Sequence, residues 1–402
     1  FVQIRMLPEM LRLLTEGIGK KTEGGAITSF QAFCVSTASR VGVGNIAGVA
    51  IAIVTGGPGA VFWMWVIAFI GCATGFVEST LAQIYKLPRG NGAFHGGPAY
   101  YIKNALKQPG IAKLFAILIS VTFGLIYVSV QANTIALSAQ AAFGITPLLT
   151  AAFLCVLTAL VIFGGMTRIA KFTEFLVPIM AGLYILVALI VILFNLEKVP
   201  GMFMLILHDA FSPQAAVGGG IGSAILTGVK RGLFSNEAGL GSTPHAHALA
   251  KVKQPQDQGA LAIIGVFVDT FVILTLTALV LITSGLIPEG MTGTALTQAA
   301  FSLTFGSFGK VFIAICMLFF AFSTILGWYF FGQVNFNALF GSKYTKVYSL
   351  IVVLFILIGS SLKVDLVWAL ADFFNGLMAV PNLLALLALS GVVAGIARNK
   401  KD

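Results

Sequence analysis

Charge is what this chain has least of. Only 9% of its 402 residues are Asp, Glu, Lys or Arg, where a water-soluble domain carries about 25%. Acid is the scarcer sign, 14 residues against 24 basic ones. So few charges exclude a solvated surface over most of the chain. With 58% apolar residues and a mean hydropathy of +0.98, what is left is an all-α, polytopic membrane protein. The ten-residue alternations of an outer-membrane barrel are also missing, because the apolar runs are long and continuous. Cysteine and histidine are down to four each. Cys34, Cys72, Cys155 and Cys316 lie singly in apolar runs without metal-ligand spacing and read as inert core thiols. His95, His208, His245 and His247 fall in loops, with no cysteine close by to complete a metal set. Gly218-Gly219-Gly220 lacks the Lys-Ser/Thr of a phosphate loop and reads as close helix packing. No nucleophile, base and metal converge, so no enzyme is expected. No signal peptide is visible either, and the chain begins at Phe1 rather than Met.

The net charge of +10 is sided rather than spread. Arg5, Arg12, Lys20 and Lys21, then Lys86, Arg89, Lys103, Lys107 and Lys113, then Arg168 and Lys171 fall at one end or in alternate loops. Lys230, Arg231, Lys251, Lys253, Lys343, Lys346, Arg398, Lys400 and Lys401 continue that set, while the opposite loops hold only Lys198, Lys310 and Lys363. That is the positive-inside pattern of a protein in the plasma membrane with both ends of this chain cytoplasmic, and it needs no nucleic acid. About ten spans are expected, near 27–55, 58–86, 112–140, 146–165, 169–195, 212–242, 258–285, 306–339, 344–362 and 364–397. Residues 1–24 read as an amphipathic N-terminal segment, 87–110 as a cytoplasmic loop with one short helix, and 286–304 as an external loop, helical at 294–303. Pro381 should kink or divide the last span.

Two stretches disturb this apolar pattern. Arg40-Val41-Gly42-Val43-Gly44-Asn45-Ile46-Ala47-Gly48 is poor helix at about mid-depth, since each interior Gly costs roughly 1 kcal/mol against Ala. Backbone groups opened there need cover from protein or a polar cavity. Arg231-Gly232-Leu233-Phe234-Ser235-Asn236-Glu237-Ala238-Gly239 repeats Arg, Asn, Ala and Gly at the same offsets. Paired interruptions in two halves point to a secondary transporter's substrate site. Five spans per half make the repeats inverted: 27–195 forms the first, 205–397 the second, and 398–402 a cytoplasmic tail. Spans 1 and 6 are then discontinuous. Opened half-helices offer N–H groups to a carboxylate and carbonyls to a cation, which suits a small zwitterion with a co-transported ion. The donors would be the amides around Gly42, Val43, Gly44 and Asn45, and those around Gly232, Phe234, Ser235 and Asn236.

Three further groups stand out. Ser323 and Thr324 in span 8 either bond back to their own helix, the default for such hydroxyls, or give hard oxygens to an alkali ion. Trp328, one turn later on the same face, either packs as core or shortens a pocket so that it admits only small side chains. Gln131 in span 3 needs partners at mid-depth, with Tyr127 on its face and Asn133 and Thr134 beside it. Arg40, Glu78, Arg231, Glu237 and Asp269 are intramembrane charges. Arg40 and Arg231 are expected to pair with acids or carbonyls on the cytoplasmic side of the site.

Pro58-Gly59-Ala60-Val61-Phe62-Trp63-Met64-Trp65, the Gly42-Val43-Gly44-Asn45 break, the Arg231–Gly239 stretch, Gln131-Ala132-Asn133-Thr134 and Asn375-Gly376-Leu377-Met378-Ala379 together resemble the alanine/glycine:cation symporter family, across essentially the whole chain. The resemblance implies a LeuT-like fold of two inverted five-helix repeats, and sodium-coupled uptake of alanine or glycine by alternating access. It implies a co-transported Na⁺ near spans 1 and 8, held by carbonyls near Ala38, Val41 and Phe320 with Ser323 and Thr324. It places Gly44 and Asn45 at the substrate carboxylate, and carries Gln131, Phe234, Asn236 and Trp328 to the substrate as well. It further implies one more membrane helix ahead of the first broken one, which fits a cut N-terminus. The alternative within transport is a proton-coupled or exchanging amino-acid carrier of the same fold, with Glu78, Glu237 and Asp269 as titratable candidates. The expected partners are a small zwitterionic amino acid and the lipid bilayer; the sequence names no oligomer, and a monomer is compatible with it.

Overall fold

The computed structural model describes residues 2–16, 27–90, 93–212, 220–287 and 290–398. Lys20, Lys21, Gly218, Gly219, Lys400 and Lys401 lie outside them. Among the described residues the chain forms α1 (Val2–Arg5), α2 (Leu7–Glu16), α3 (Ser29–Arg40), α4 (Gly44–Gly56) and α5 (Ala60–Ile84). A two-stranded hairpin, β1 (Leu87–Gly90) with β2 (Ala93–His95), precedes α6 (Pro98–Asn104). Then come α7 (Pro109–Phe143), α8 (Pro147–Ile162), α9 (Gly165–Leu193) and α10 (Val199–Ala210). The rest is α11 (Gly220–Asn236), α12 (Pro244–Ala248), α13 (Pro255–Ser284), α14 (Gly293–Phe305), α15 (Ser307–Phe340), α16 (Thr345–Ser360) and α17 (Val364–Arg398).

Local chemistry sets several of these boundaries. Thr28 and Gln31 form a capping box at the start of α3, each side chain bonding the other's backbone N–H at 3.0 Å. Pro109 and Pro255 open α7 and α13 where no intrahelical N–H bond is lost. Gly144 and Gly285 close them in the left-handed region, at φ of 69° and 70°. Among the described residues seven helices are long and apolar enough to cross a bilayer, or eight if the bent pair α3–α4 counts as one span. The helix at 293–305 falls where the apolar pattern places it. The hairpin in the 87–110 loop has no counterpart in that pattern, and Pro381 sits inside one continuous helix instead of dividing it.

Helix α15 is the axis of the bundle, with 78% of its most apolar window buried. Around it pack α3, α7, α9, α14 and α16, while α5 packs against α11 and α13. The outer faces of α8, α9 and α16 carry Leu149, Leu160, Phe175, Leu186 and Leu350, each more than half exposed. An apolar periphery around a core that holds Arg40, Glu78, Glu237 and Asp269 inverts the plan of a soluble protein and suits hydrocarbon.

Candidate functional site: two helix breaks and their surroundings

Helix α3 stops at Arg40, and α4 sets off again at Gly44 with its axis turned by 43°. The first turn of α4, Gly44–Gly48, is wound as a π-helix. The opened N–H groups are met by side chains: Asn45 Oδ1 accepts from Gly42 N at 3.0 Å, and Gln131 Oε1 accepts from Val43 N at 3.3 Å. Glycine is needed here for proximity. A Cβ on Gly42 would lie 2.5 Å from Thr324 Oγ1, and one on Gly44 would lie 2.9 Å from the Ser235 side chain.

The carbonyl end of α3 carries the oxygens assigned to a cation. Thr324 Oγ1 lies 2.8 Å from the Ala38 carbonyl, 3.4 Å from that of Val41 and 2.9 Å from that of Phe320. Ser323 Oγ shares the Phe320 carbonyl at 2.9 Å and otherwise faces Met180 Sδ at 3.7 Å. So Ala38, Val41, Phe320 and Thr324 form one oxygen cluster, and Ser323 adjoins it without touching the α3 carbonyls. Neutral hard oxygens at the negative end of a helix dipole suit a small cation. One turn further along α15, a Cβ on Gly327 would sit 3.1 Å from the Ser39 Cβ, so α3 and α15 are pressed together beside the cluster.

Beyond Gln131 the enclosure is aromatic. The rings of Tyr127, Phe234 and Trp328 lie 4.8 to 5.8 Å apart, centroid to centroid, and Phe123 stands edge-on to Trp328 at 5.5 Å. Among the described residues the Tyr127 hydroxyl and Gln131 Nε2 on α7, and Asn236 Nδ2 at the end of α11, are buried donors without a hydrogen-bond partner. Three donors beside a broken helix can serve a carboxylate. An acid sits on another side of the breaks. Asp269 accepts from Asn45 Nδ2 at 2.8 Å, from Ser235 Oγ at 3.0 Å and from Thr270 Oγ1 at 2.8 Å. Sequence reasoning named Asp269 only as a titratable candidate and Ser235 only through its amide, and did not bring the two side chains together. Their signals were present, an intramembrane acid and a serine inside the repeated motif, but nothing along the chain set α13 against the breaks.

The second break comes later than its motif suggests. Helix α11 runs through Gly232, Phe234 and Ser235 to Asn236, so their amides are ordinary helical ones rather than free donors. The chain opens from Glu237 to Thr243, where Glu237, Gly239 and Gly241 have φ of 56°, 88° and 77°. The Asn236 carbonyl accepts from Arg40 Nε at 2.8 Å, Ala238 N donates to Asn236 Oδ1 at 3.1 Å, and Gly239 N donates to Glu78 Oε1 at 3.2 Å. Glu237 accepts from Trp328 Nε1 at 2.5 Å, Ser242 Oγ at 2.5 Å and Ser39 Oγ at 3.3 Å. The ring of Trp328 thereby faces Tyr127 and Phe234, with its nitrogen pinned from behind.

The two arginines part company. Arg40 faces α12, with Nη2 donating to Thr243 Oγ1 at 3.0 Å. Arg231 pairs with Asp372 of α17 and stacks over Trp368 at 4.4 Å. Trp368 packs on Phe234 at 4.8 Å and lines a cavity of about 450 Å³ bounded by α4, α7, α14 and α17. So both arginines pair as expected, Arg40 with a carbonyl and Arg231 with an acid, but Arg231 lies on the cavity side of the aromatic cluster and Arg40 on the other. Lys230 and Arg231 are helical residues, not loop residues, and Lys230 lies 3.7 Å from the same Asp372. Below the second break, α12 is buried. Burial pushes His245 down to about 4 and His247 down to about 3. His245 Nε2 meets Asn335 Nδ2 of α15, and His247 Nδ1 meets Gln258 of α13, both at 2.8 Å.

Comparison with known proteins closes the argument. Residues 1–401 match the model of the sodium:alanine symporter family. The chain is 48% identical over 395 residues to the Bacillus subtilis protein named probable sodium/glutamine symporter GlnT, covering 98% of this chain and 82% of that one. It is 42% identical over 402 residues to the sodium/alanine symporter AgcS of Methanococcus maripaludis, covering 98% and 88%. Among solved structures, MhsT in complex with L-phenylalanine superposes with a TM-score of 0.64 at 16% identity, covering 92% of this chain and 90% of that one, a likeness of LeuT-type fold alone. A helical bundle opened at two adjoining places, with a hydroxyl set among carbonyls at one of them, thus has its relatives among amino-acid symporters, and this multi-pass membrane chain belongs to the sodium:alanine symporter family.

Proposed function

We propose that the protein is a sodium-coupled importer of small neutral amino acids, alanine or glycine first, working by alternating access. The observation that carries this reading is the cluster of Ala38, Val41, Phe320 and Thr324 oxygens, which bridges the broken α3–α4 pair and α15. A Na⁺ carried as co-substrate would sit among those oxygens and hold α3 and α15 at their present spacing, with Ser323 swinging from Met180 to join. It would thereby order the Gly42–Asn45 backbone one turn away. Coupling of that kind is typically worth about 1–3 kcal/mol. The substrate carboxylate would take the donors of Gly42, Val43, Gly44 and Asn45 with those of Tyr127, Gln131 and Asn236, and Asp269 would answer the ammonium. Trp328 and Phe234 would bound the side chain, and the tight spacing of those rings favours a methyl or a hydrogen over the longer side chain of glutamine.

The same reading counts ten spans in two inverted repeats, both ends cytoplasmic. It includes α8 and α11, which are shorter than the roughly 20 residues of a full crossing. The sided lysines and the offset-matched motifs support it. The experiment is uptake of radiolabelled alanine into proteoliposomes, with and without an inward sodium gradient and with glycine or glutamine as competitor. Sodium-driven accumulation blocked by glycine but not by glutamine is expected; equal accumulation in both gradients would reject sodium coupling. A proton-coupled carrier is the second reading, favoured by Glu78, Glu237 and Asp269, which are fully buried and have no ion-pair partner within 4.0 Å among the described residues. Uptake that follows an imposed pH gradient without sodium would put it first.

A further inference from the structure

A second cavity, of about 550 Å³, opens where α7 begins and α15 ends, helical turns away from Tyr127 and Trp328 on the same two helices. Its walls come from α6 and α7 on one side and from Ala338 and Leu339 of α15 on the other. The lining is of two kinds. Lys103, Asn104 and Lys113 are polar, and Ala112, Ala116 and Leu339 are apolar. Helices α7 and α15 are both long apolar candidate spans, so a cavity at the start of one and the end of the other stands at a membrane surface.

The charge around it has one sign. From Ser79 to Thr173 the sequence contains no Asp or Glu, yet it holds Lys86, Arg89, Lys103, Lys107, Lys113, Arg168 and Lys171. Just past α15 come Lys343 and Lys346, with no acid between Gly290 and Val364. Neither Lys103 nor Lys113 has a carboxylate within 4.0 Å among the described residues. One turn below Lys113, on the same face of α7, Ile117 is 49% exposed, and Leu114 beside it is 51% exposed. A basic mouth therefore runs straight into an apolar track along the outside of a span.

We propose that this cavity is a binding site for an anionic phospholipid, with the phosphodiester headgroup between Lys103 and Lys113 and an acyl chain along Leu114 and Ile117. Free phosphate would meet the lysines but gain nothing from the apolar track, whereas a zwitterionic lipid would fill the track and gain little from the lysines. A bound lipid would also tie α6 and α7 to the end of α15, the helix that carries Thr324 and Trp328. Each lysine near an anionic headgroup is worth about a factor of five in affinity, so two give about a 25-fold preference over a zwitterionic lipid.

The test is native mass spectrometry of the purified full chain, offered equal amounts of phosphatidylglycerol and phosphatidylcholine. The wild type should retain phosphatidylglycerol about 25-fold better. The Lys103→Gln/Lys113→Gln pair should fall to near parity, and Lys103→Arg/Lys113→Arg should keep the preference. Lys198→Gln/Lys310→Gln, a change of equal charge elsewhere, should leave it alone. Preference retained by the glutamine pair, or lost equally in the Lys198/Lys310 pair, would overturn the site. Displacement of the lipid by millimolar glycerol phosphate would overturn it too, by reducing the cavity to a phosphate site. Because the readout is retention of lipid rather than transport, failure here leaves the proposed symport untouched.

Discussion

The two breaks start from the same letters and solve the same problem differently. In the first, Arg40 ends its helix, and the freed amides of Gly42 and Val43 go to Asn45 and Gln131 while the freed carbonyls gather at Thr324. In the second, Arg231 stays within its helix, which ends five residues later at Asn236; the turn follows at residues with positive φ, and the freed groups go to Arg40, Asn236 and Glu78. The first break leaves carbonyls gathered round the Thr324 hydroxyl; the second is closed by charged and amide side chains. One keeps neutral oxygens together, as the proposed ion site requires, and the other pins Trp328 through Glu237.

That contrast can be broken most sharply at Gly42. Valine there would drive a branched side chain into Thr324 and Gln131, and alanine uptake should fall by about 100-fold at equal membrane expression, the upper end of what overpacking costs. Activity close to wild type would mean that the first break does not work through close approach.

A pH difference should separate the two regions next. His245 and His247 are held neutral beneath the second break, well below the ordinary value near 6.5. As pH falls from about 6.5 towards about 4, an opened α12 takes up protons before the packed one does, so the packing weakens over that window and is fully present above it. At pH 5 each histidine should ease opening by about 30-fold. Hydrogen exchange, corrected for intrinsic rates, should accelerate on acidification at 244–248 and hold steady at 41–48. Equal acceleration at both would erase the distinction.

Smaller effects sharpen it further. Thr324→Ala should raise the sodium concentration for half-maximal uptake by about tenfold, the worth of one hydrogen-bonding oxygen, and Ser323→Ala by clearly less. The reverse order would move the ion towards Met180. Arg231→Lys keeps the charge opposite Asp372 but loses the flat stack on Trp368, worth about 0.5–1 kcal/mol. It should change uptake only about two- to fivefold, while Asp372→Asn, by stranding a buried guanidinium, should cost more.

Much of this was legible along the chain because a bilayer permits so few solutions. Long apolar runs had to be helices, glycines bracketing Val43 had to weaken one of them, and a hydroxyl pair one turn before Trp328 had to face something. Position within a helix could be read; what stood opposite could not. Asp269 and Ser235 meet only because α13 lies against both breaks, and Trp368 reaches Phe234 from a helix more than a hundred residues away. The repeated motif suggested two similar openings, but a backbone opens where its amides and carbonyls find substitutes. Around the second motif those are Glu78, Arg40 and Asn236, which moved the turn towards Gly239.

Gly327 and Ser39 set the spacing of α3 and α15. With no side chain on one partner, the two backbones cannot draw nearer, and every oxygen around Thr324 hangs from one of these two rods. If the proposed ion sits there, the contact is a calliper stop that sets the bore for a naked cation. A thicker residue at 327 should then ream that bore wider and turn the proposed ion preference from sodium towards potassium.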